Sequence, residues 1–328
     1  MSIIRSRRDA LKKLTIAAVG PLAASGQASA DNYPSRPINL VVPFAAGGMT
    51  DILGRQLGKS MGSAWSATVI VDNRVGAGGI IGADRVAKST PDGYNLLVTT
   101  TAHVVNPSIT KKLPYDTLAD FTPVAMLART PNVLLVNPSV PARNLQELLA
   151  YARKKGGVTY GSAGTGGTTH LSGELLAAKT GVPFVHVPYK GTALAINDLL
   201  GKQIDASFVD ALSAVKYVES GALRAIAVST KDRNPALPDV ATIAEQGVPG
   251  YETEIWIGLY GPANLPAPIT EKLNRLAREA MSEPTFKMML EKQGTQNGTM
   301  DVQTFRTYVR SEVAKWAGIC KLANIQPE

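Results

Sequence analysis

The residues best suited to chemistry in this chain are two adjacent glycines, Gly47 and Gly48, at the junction of a strand and a helix. They follow the apolar run Ile38–Val42 and precede a helical pattern that begins at Ile52. A helix N-terminus carries unpaired N–H groups and the positive end of the helix dipole, and glycines let an anion approach that backbone closely. The sequence therefore predicts an anion-binding loop that uses no lysine or arginine. Its candidate residues are Phe44, Ala46, Gly47, Gly48, Met49, Thr50 and Asp51.

The roles expected in this first loop differ by residue type. The amides of residues 46–50 and the Thr50 hydroxyl are expected to receive one carboxylate. Phe44 and Met49 are expected to form an apolar wall. Asp51 would repel an anion, so we interpret it as a helix cap or a structural hydrogen-bond acceptor. The competing interpretation is a plain strand–helix turn in which Thr50 or Asp51 caps the helix.

A second loop of the same kind spans residues 160–169, Tyr-Gly-Ser-Ala-Gly-Thr-Gly-Gly-Thr-Thr. It offers hydroxyls as well as amides ahead of a helical pattern, so it is expected to take a second carboxylate from the other side of a cleft. The competing interpretation is a surface loop, and His170 is expected to pack or to cap the helix. The candidate residues are Ser162, Ala163, Thr165, Gly166 and Thr168.

Polar residues also follow the carboxyl ends of other predicted strands, where open α/β sheets bind ligands. Thr101 and His103 follow the strand predicted at Asn95–Thr100, and Tyr189 and Asp210 occupy the same kind of position later in the chain. All four are candidate cleft residues. Asp210 can orient an amine or hydroxyl of a ligand, or it can cap the next helix.

Signatures of catalysis and of cofactor binding are missing from the sequence. The three histidines lack the spacing of a metal site, and Gly161–Gly164 misses the Gly-x-Ser-x-Gly nucleophile elbow by one residue. The spacing of the glycines at residues 76–82 does not match a dinucleotide-binding fingerprint. These glycines can still contact a ligand or the hinge. We predict no catalytic residue, no metal and no cofactor; a hydrolase would need residues that converge only in space.

Residues 1–30 have the pattern of a cleaved secretory signal, with Arg7-Arg8 before an apolar stretch and Ala28-Ser29-Ala30 at its end. The arginine pair favours twin-arginine export, with the general route as the alternative. The formal charge is +8, and residues 1–30 hold five cations and one acid, so about +4 is left for the rest. This charge is too small and dispersed to indicate nucleic-acid binding. We expect a soluble periplasmic product whose single Cys320 forms no internal disulfide.

After residue 30, short apolar runs alternate with helical patterns, which indicates βαβ units in an α/β fold with mostly parallel sheets. The chain is long for one core, so two domains are expected, residues 31–128 plus 255–328 and residues 129–254. Extended crossovers near residues 123–131 and 251–256 would make a hinge with a cleft between the domains. The strands are predicted at Ile38–Phe44, Thr68–Asp72, Asn95–Thr100, Val133–Asn137, Val158–Gly161, Val185–Pro188, Asp205–Val209 and Ala225–Ser229.

Several segments, in order along the chain, resemble the Bug-type periplasmic solute-binding receptors of tripartite tricarboxylate transporters. The matching segments are Tyr33–Ile38, Val42–Asp51, Val71–Gly79, Pro91–Tyr94, Tyr160–Gly164, His170–Leu175, Val187–Gly191, Leu200–Asp205 and Trp256–Leu259. The resemblance implies a two-domain type II periplasmic-binding-protein fold that closes on a small carboxylate, held by amides, hydroxyls and water. It departs from the family at Met49, where a small residue or proline is common.

The resemblance also implies partners. A receptor of this family passes its ligand to membrane permease subunits and is expected to be a monomer without enzymatic activity. The ligand is expected to be a small mono- or dicarboxylate: an organic acid, an acidic amino acid or an aromatic acid. A periplasmic sensor that reports the same ligand to a membrane receptor is the alternative in another functional class.

Overall fold

A computed structural model describes residues 33–327, and the predicted signal peptide lies outside these residues. The described residues form a ten-stranded sheet with helices packed on it. The strand order is β2-β1-β3-β9-β4-β7-β5-β6, and β8 and β10 also pair with β4. In this part of the chain, no helix is long and apolar enough to cross a membrane.

Three parallel strands make up the first part of the sheet. They are β1 (Ile38–Val42), β2 (Val69–Asn73) and β3 (Asn95–Thr100), and β1 lies between the other two. The side chains of β1 are almost all apolar and fully buried, as expected of a strand that is covered on both faces. The helices of this part are α1 (Met49–Trp65), α2 (Ile80–Ala87) and α3 (Ala102–Ile109).

The strand β4 (Phe121–Val136) connects the two parts of the sheet. Its residues 121–131 pair with β9 (Glu254–Pro262), and its residues 132–136 pair with β7 (Ala206–Asp210), in both cases antiparallel. Because β9 also pairs with β3, the chain returns to the first part about 120 residues after leaving it. Residues 130–132 and 252–254 are therefore the two points where the chain crosses between the parts, and we call them the first and second crossovers.

The second part of the sheet repeats the strand–helix alternation. Its parallel strands are β5 (Val158–Ser162), β6 (Phe184–Pro188) and β7, and β8 (Arg224–Val228) pairs with β4. The helices here are α4 (Leu145–Lys155), α5 (Thr168–Thr180), α6 (Thr192–Leu200) and α7 (Ala211–Glu219).

The chain ends in helices that return to the first part. These are α8 (Ala267–Met281), α9 (Pro284–Lys292) and α10 (Val302–Leu322), with the short strand β10 (Gln296–Asn297) before the last. Helix α10 is anchored at the sheet by Glu312, whose Oε2 accepts the indole N–H groups of Trp256 at 2.9 Å and Trp316 at 3.0 Å. These two indoles are fully buried.

The predicted strands are found, and the outer strands of both parts are parallel as expected. The strands that pair with β4 are antiparallel to it. No helix was predicted over α3, which contains Pro107. Proline removes the amide that would bind the His103 carbonyl, and the Thr117 hydroxyl donates to that carbonyl instead at 3.3 Å.

Candidate functional site

The first glycine loop, residues 44–48, leads directly into α1. The helix begins at Met49, with Gly48 in an extended conformation and no side-chain cap. The first helical hydrogen bond runs from the Ile52 amide to the Gly48 carbonyl at 3.0 Å, so the amides of residues 49–51 precede the hydrogen-bonded ladder. Neither Thr50 nor Asp51 acts as the N-cap, and the helix starts three residues before the predicted position.

The second glycine loop, residues 163–167, has the same backbone geometry. Helix α5 begins at Thr168, and Gly167 has φ −73° and ψ 163°, against −77° and 167° for Gly48. The Leu171 amide donates to the Gly167 carbonyl at 3.0 Å. The residue before each cap, Gly47 or Gly166, has a positive φ of 82° or 75° that favours glycine. The chain thus builds the same type of helix terminus twice, and its geometry suits the binding of an anion.

Each loop is braced by the third residue of its helix. Asp51 Oδ2 accepts the Gly47 amide at 2.9 Å, and His170 Nδ1 accepts the Gly166 amide at 3.1 Å. The Asp51 brace is reinforced by Arg55, whose Nε lies 2.9 Å from Oδ2. Burial raises the pKa of Asp51, but hydrogen bonds from Arg55, the Gly47 amide and Asn73 outweigh burial and lower it below its ordinary value. Asp51 is therefore a structural hydrogen-bond acceptor, one of the roles considered for it above.

Two histidines and a serine lie beneath the second loop. The rings of His170 and His186 stack at 3.9 Å, and His186 Nε2 lies 2.6 Å from Ser162 Oγ. Burial lowers the pKa of both histidines to about 4, so both rings are neutral at pH 7. Since His170 Nδ1 accepts an amide, its proton is on Nε2. The histidines shape the loop and add no positive charge to it.

Most amides of the second loop are already bound to the protein. The Ala163 amide donates to Thr169 Oγ1 at 3.0 Å and the Gly164 amide donates to Ser162 Oγ at 3.1 Å, in addition to the bond from Gly166. The donors placed to meet an anion are therefore the amides of the first turn of α5 and the threonine hydroxyls of the loop. The loop amides themselves, which were expected to take part, instead donate within the protein.

A cleft of about 320 Å³ lies between the two parts of the sheet, against the second loop. Residues from both parts line it, including the first turns of α3, α5 and α6. Among the described lining residues there is no lysine, arginine or histidine, and Asp210 is the one acid. The lining residues are Phe44, Gly78, Thr100, Ala102, Asn106, Ile109, Ala163, Gly164, Thr165, Gly166, Gly167, Thr168, Thr169, Thr192, Asp210 and Ile255.

Six of the predicted site residues line this cleft: Phe44, Ala163, Thr165, Gly166, Thr168 and Asp210. The Asp210 carboxylate also caps α7 by accepting the Ser213 amide at 2.8 Å, so it combines the two roles considered for it. The predicted residues outside the lining are Ala46, Gly47, Gly48, Met49, Thr50, Asp51, Thr101, His103, Ser162 and Tyr189. Met49 packs on the core of the first part, and the Tyr189 hydroxyl donates to Asp198 at 2.7 Å.

The structure places Thr101 and His103 in the core, which corrects the expectation that they face the cleft. His103 is 1% exposed and packs against Tyr115, Phe121 and Tyr260, and burial lowers its pKa to about 3. The Thr101 hydroxyl accepts the Trp256 amide at 2.8 Å. Both residues point inward because the chain is helical here.

The opposite face of α3 supplies cleft residues that sequence reasoning missed. Ala102, Asn106 and Ile109 line the cleft, and their spacing of four and then three residues is that of one helix face. Asn106 Nδ2 also donates to the carbonyl of Gly78 at 3.3 Å, so the glycine run at residues 76–82 also reaches the cleft. The spacing of these residues in the sequence fits a helix, but Pro107 argues against a helix at this position.

Within residues 33–327, no group of three or more histidines, cysteines or acids is arranged to hold a metal ion. The cleft therefore offers hydrogen-bond donors, helix dipoles and an apolar wall. This chemistry suits reversible binding of a small anion.

Solved structures with the same architecture include the periplasmic binding protein BugD, which matches with a TM-score of 0.78 and 35% identity, covering 90% of this chain and 100% of the other. This likeness defines the class as periplasmic binding proteins. An R. palustris protein solved with adipate matches with a TM-score of 0.81 and 35% identity, covering 90% of this chain and 100% of the other. MatC from Rhodopseudomonas palustris, solved with bound malate, matches with a TM-score of 0.77 and 31% identity, covering 88% and 99%. The expected α/β periplasmic-binding-protein fold is confirmed.

The sequence comparisons identify the family. Residues 53–325 match the family described as tripartite tricarboxylate transporter family receptor. The BugT protein of Bordetella pertussis is 35% identical over 299 residues, which is 89% of this chain and 91% of BugT. The chain belongs to this receptor family, whose members are solute-binding receptors and not enzymes.

Proposed function

We propose that this receptor captures a small mono- or dicarboxylate between two lobes, residues 33–128 with 255–327 and residues 129–254. The two glycine loops lie on different lobes. The second loop lines the cleft in the described structure, and from the first loop Phe44 does so. Closure about the crossovers would bring the first turn of α1 onto the same ligand.

The observation that carries this proposal is the uncapped N-terminus of α5 at a cleft whose described lining holds no cation, together with the matching uncapped N-terminus of α1 on the other lobe. A helix N-terminus offers fixed N–H dipoles equivalent to about half a positive charge. Such dipoles bind a carboxylate without burying a second ion, whose desolvation costs several kcal/mol. A carboxylate taken up in this way can also be released unchanged.

The walls of the cleft suit the carbon skeleton of such an acid. Phe44, Ile109 and Ile255 supply apolar surface, while Thr165, Thr168 and Thr192 supply hydroxyls. Adipate and malate, the acids named for the two structural relatives, are small dicarboxylates of different polarity. Their size and charge support the same class of ligand for this chain.

We further propose that the ligand is passed to the permease subunits of a tripartite tricarboxylate transporter. The family match supports this partner. The proposed signal in residues 1–30 would export the chain to the periplasm, where such a receptor meets its permease.

A thermal-shift screen of residues 31–328 tests the proposal. The panel is succinate, malate, glutamate, adipate, terephthalate and nicotinate, each compared with its uncharged amide. A ligand that binds only the folded state at 100 times its Kd stabilises that state by about 2.7 kcal/mol. We expect at least one acid to raise the Tm while its amide does not. If no acid raises the Tm, carboxylate capture is wrong.

A further inference from the structure

The first turn of α5 is joined to both crossovers by a buried cluster of hydroxyl groups. Ser172 Oγ lies 2.7 Å from the Thr168 carbonyl, 2.7 Å from Thr253 Oγ1 and 3.1 Å from Asn132 Nδ2. Ser172, Thr253 and Asn132 are all fully buried. Asn132 belongs to the first crossover and Thr253 to the second, so one hydroxyl contacts both hinge segments and the proposed binding helix.

The direction of each bond follows from the chemistry of the groups. A carbonyl only accepts, so Ser172 donates its proton to Thr168, and an amide N–H only donates, so Asn132 donates to Ser172. Thr253 must then donate its own proton to Ser172. The Ser172 hydroxyl has thus one donated and two accepted bonds, which fills its capacity.

The two crossovers are also bridged by the side chain of Ser229. Ser229 Oγ accepts the Asn132 amide at 2.9 Å and donates to the Thr253 carbonyl at 2.6 Å. The crossover strands and the first turn of α5 therefore share one hydrogen-bonded cluster, and in a buried site each lost partner leaves a polar group unsatisfied.

The first loop has no equivalent attachment. The residue of α1 that corresponds to Ser172, counted from the helix start, is Leu53, an apolar residue buried in the core of the first lobe. The first loop is braced by Asp51 and Asn73 within its own lobe. The two anion-binding termini thus differ in how they are connected to the hinge.

We propose that Ser172 is a positioning residue that ties the anion-binding end of α5 to both crossovers. The second loop and the hinge then move as one body, and closure carries the first loop toward it. Ser172 acts through the amides of α5, and the inference rests on the proposed function of the cleft.

The test compares two substitutions that each remove one buried hydroxyl. Ser172→Ala removes the hydroxyl that joins α5 to both crossovers. Thr270→Val is the control: its hydroxyl also donates to the carbonyl four residues earlier, at 3.1 Å, but it lies in α8. Affinity is measured by calorimetry with the acid that raises the Tm most in the panel of succinate, malate, glutamate, adipate, terephthalate and nicotinate. Closure is measured as the distance between spin labels at Val75→Cys and Leu194→Cys, two exposed positions on the two lobes.

We expect both variants to lower the Tm, but Ser172→Ala alone to weaken binding at least fivefold and to broaden the distance distribution. Thr253→Val, which keeps the bond from Ser172 to Thr168, should change affinity in the same direction if Ser172→Ala does not fold. Affinity and closure equal to those of Thr270→Val would overturn the positioning role while leaving the proposed function intact. Absence of binding by the unmodified protein would instead overturn the proposed function.

Discussion

The two glycine loops are built on the same backbone plan but are supported by opposite chemistry. The first is braced by an anionic Asp51 that pairs with Arg55, and the second by a neutral His170 that faces Glu174 at 3.7 Å. Counted from the start of each helix, the bracing residues and their partners occupy the same positions, three and seven. The backbone geometry therefore needs only an acceptor at the third position, and the charge of that acceptor is free to differ.

The difference has a consequence for anion binding. A carboxylate at the N-terminus of α1 would lie near the negative charge of Asp51, which Arg55 offsets only from a half-exposed position. A carboxylate at the N-terminus of α5 meets no such charge from the neutral His170. We expect the second loop to contribute more of the binding free energy than the first.

The largest difference between the loops should appear in helix packing. The sixth residue of each helix is a glycine, Gly54 or Gly173. A Cβ at Gly54 would meet Val42 at 3.2 Å, whereas a Cβ at Gly173 would overlap the Tyr160 ring, with its hydroxyl at 2.7 Å. We expect Gly173→Ala to lower the free energy of unfolding by about 2–3 kcal/mol through overpacking. Gly54→Ala should change it by less than about 1 kcal/mol, because alanine favours the helix.

Urea unfolding followed by circular dichroism measures both changes. Equal losses in the two variants would mean that Tyr160 moves aside at little cost, and that the two helices are packed equally tightly.

The next largest effect concerns ligand affinity at the two caps. Gly48 and Gly167 both have negative φ, and a Cβ at either would meet one carbonyl oxygen at 3.5 Å, an ordinary contact. Valine at either position should therefore leave the fold intact and obstruct the approach of an anion. We expect Gly167→Val to weaken binding of the best acid at least tenfold, about 1.4 kcal/mol, and Gly48→Val to weaken it less.

Calorimetry with that acid measures the effect, and the unfolding midpoint of each variant serves as the control for folding. An affinity unchanged by Gly48→Val would remove the first loop from the binding site. The reverse order of effects would contradict the role of the Asp51 charge.

Both loops could be found from the sequence because their signal is local. An apolar strand, two glycines and a helical pattern lie within about fifteen residues in each case. The unpaired N–H groups at a helix N-terminus then indicate an anion-binding loop. The role of Asp51 as a structural hydrogen-bond acceptor could be predicted for the same reason. What lay outside local reasoning was the face of α3, because Pro107 is usually a helix breaker and here the Thr117 hydroxyl replaces the missing amide.

Site residues that come from distant parts of the chain could not be predicted either. Ile255 reaches the cleft because β9 inserts between β3 and β4, which depends on strand pairing across about 150 residues. The same holds for the cluster of Asn132, Ser172 and Thr253, whose members show no pattern in the sequence. Strand pairing over long sequence separations determines which surfaces pack together. The periodicity of apolar residues carries no information about that pairing.

A smaller effect should separate the loops by pH. Burial lowers the pKa of His170 and His186 to about 4, against about 6.5 in the unfolded chain, so the unfolded state binds more protons between these values. Stability should therefore fall as the pH falls from 6.5 toward 4, and solvent screening of the partly exposed His186 ring limits the loss. The pKa of Asp51 is lowered below 3.8, so the first loop loses its contribution only in stronger acid.

His170→Asn isolates the second loop, since an amide oxygen can accept the Gly166 amide without titrating. Its unfolding free energy between pH 4.5 and 7.5 should have a shallower slope than that of the unmodified protein. The buried His103 contributes to the remaining slope in both proteins. An identical slope would mean that His170 is protonated equally in the folded and unfolded states.

The smallest effect is expected at the seventh helix positions, where Arg55 and Glu174 support the two bracing residues. The Arg55 side chain is 54% exposed, so solvent screens its pairing with Asp51. Arg55→Gln should therefore lower stability only slightly, yet weaken carboxylate binding about twofold to threefold, because the Asp51 charge loses its counterion. Glu174→Gln should not weaken binding, because it removes a negative charge near the second loop while keeping an acceptor for the Tyr160 hydroxyl. Calorimetry at 20 mM and 500 mM salt separates the two, since the Arg55→Gln loss should shrink at the higher salt concentration. A loss of affinity in both variants that is insensitive to salt would show that these residues act through the shape of the loops and not through their charge.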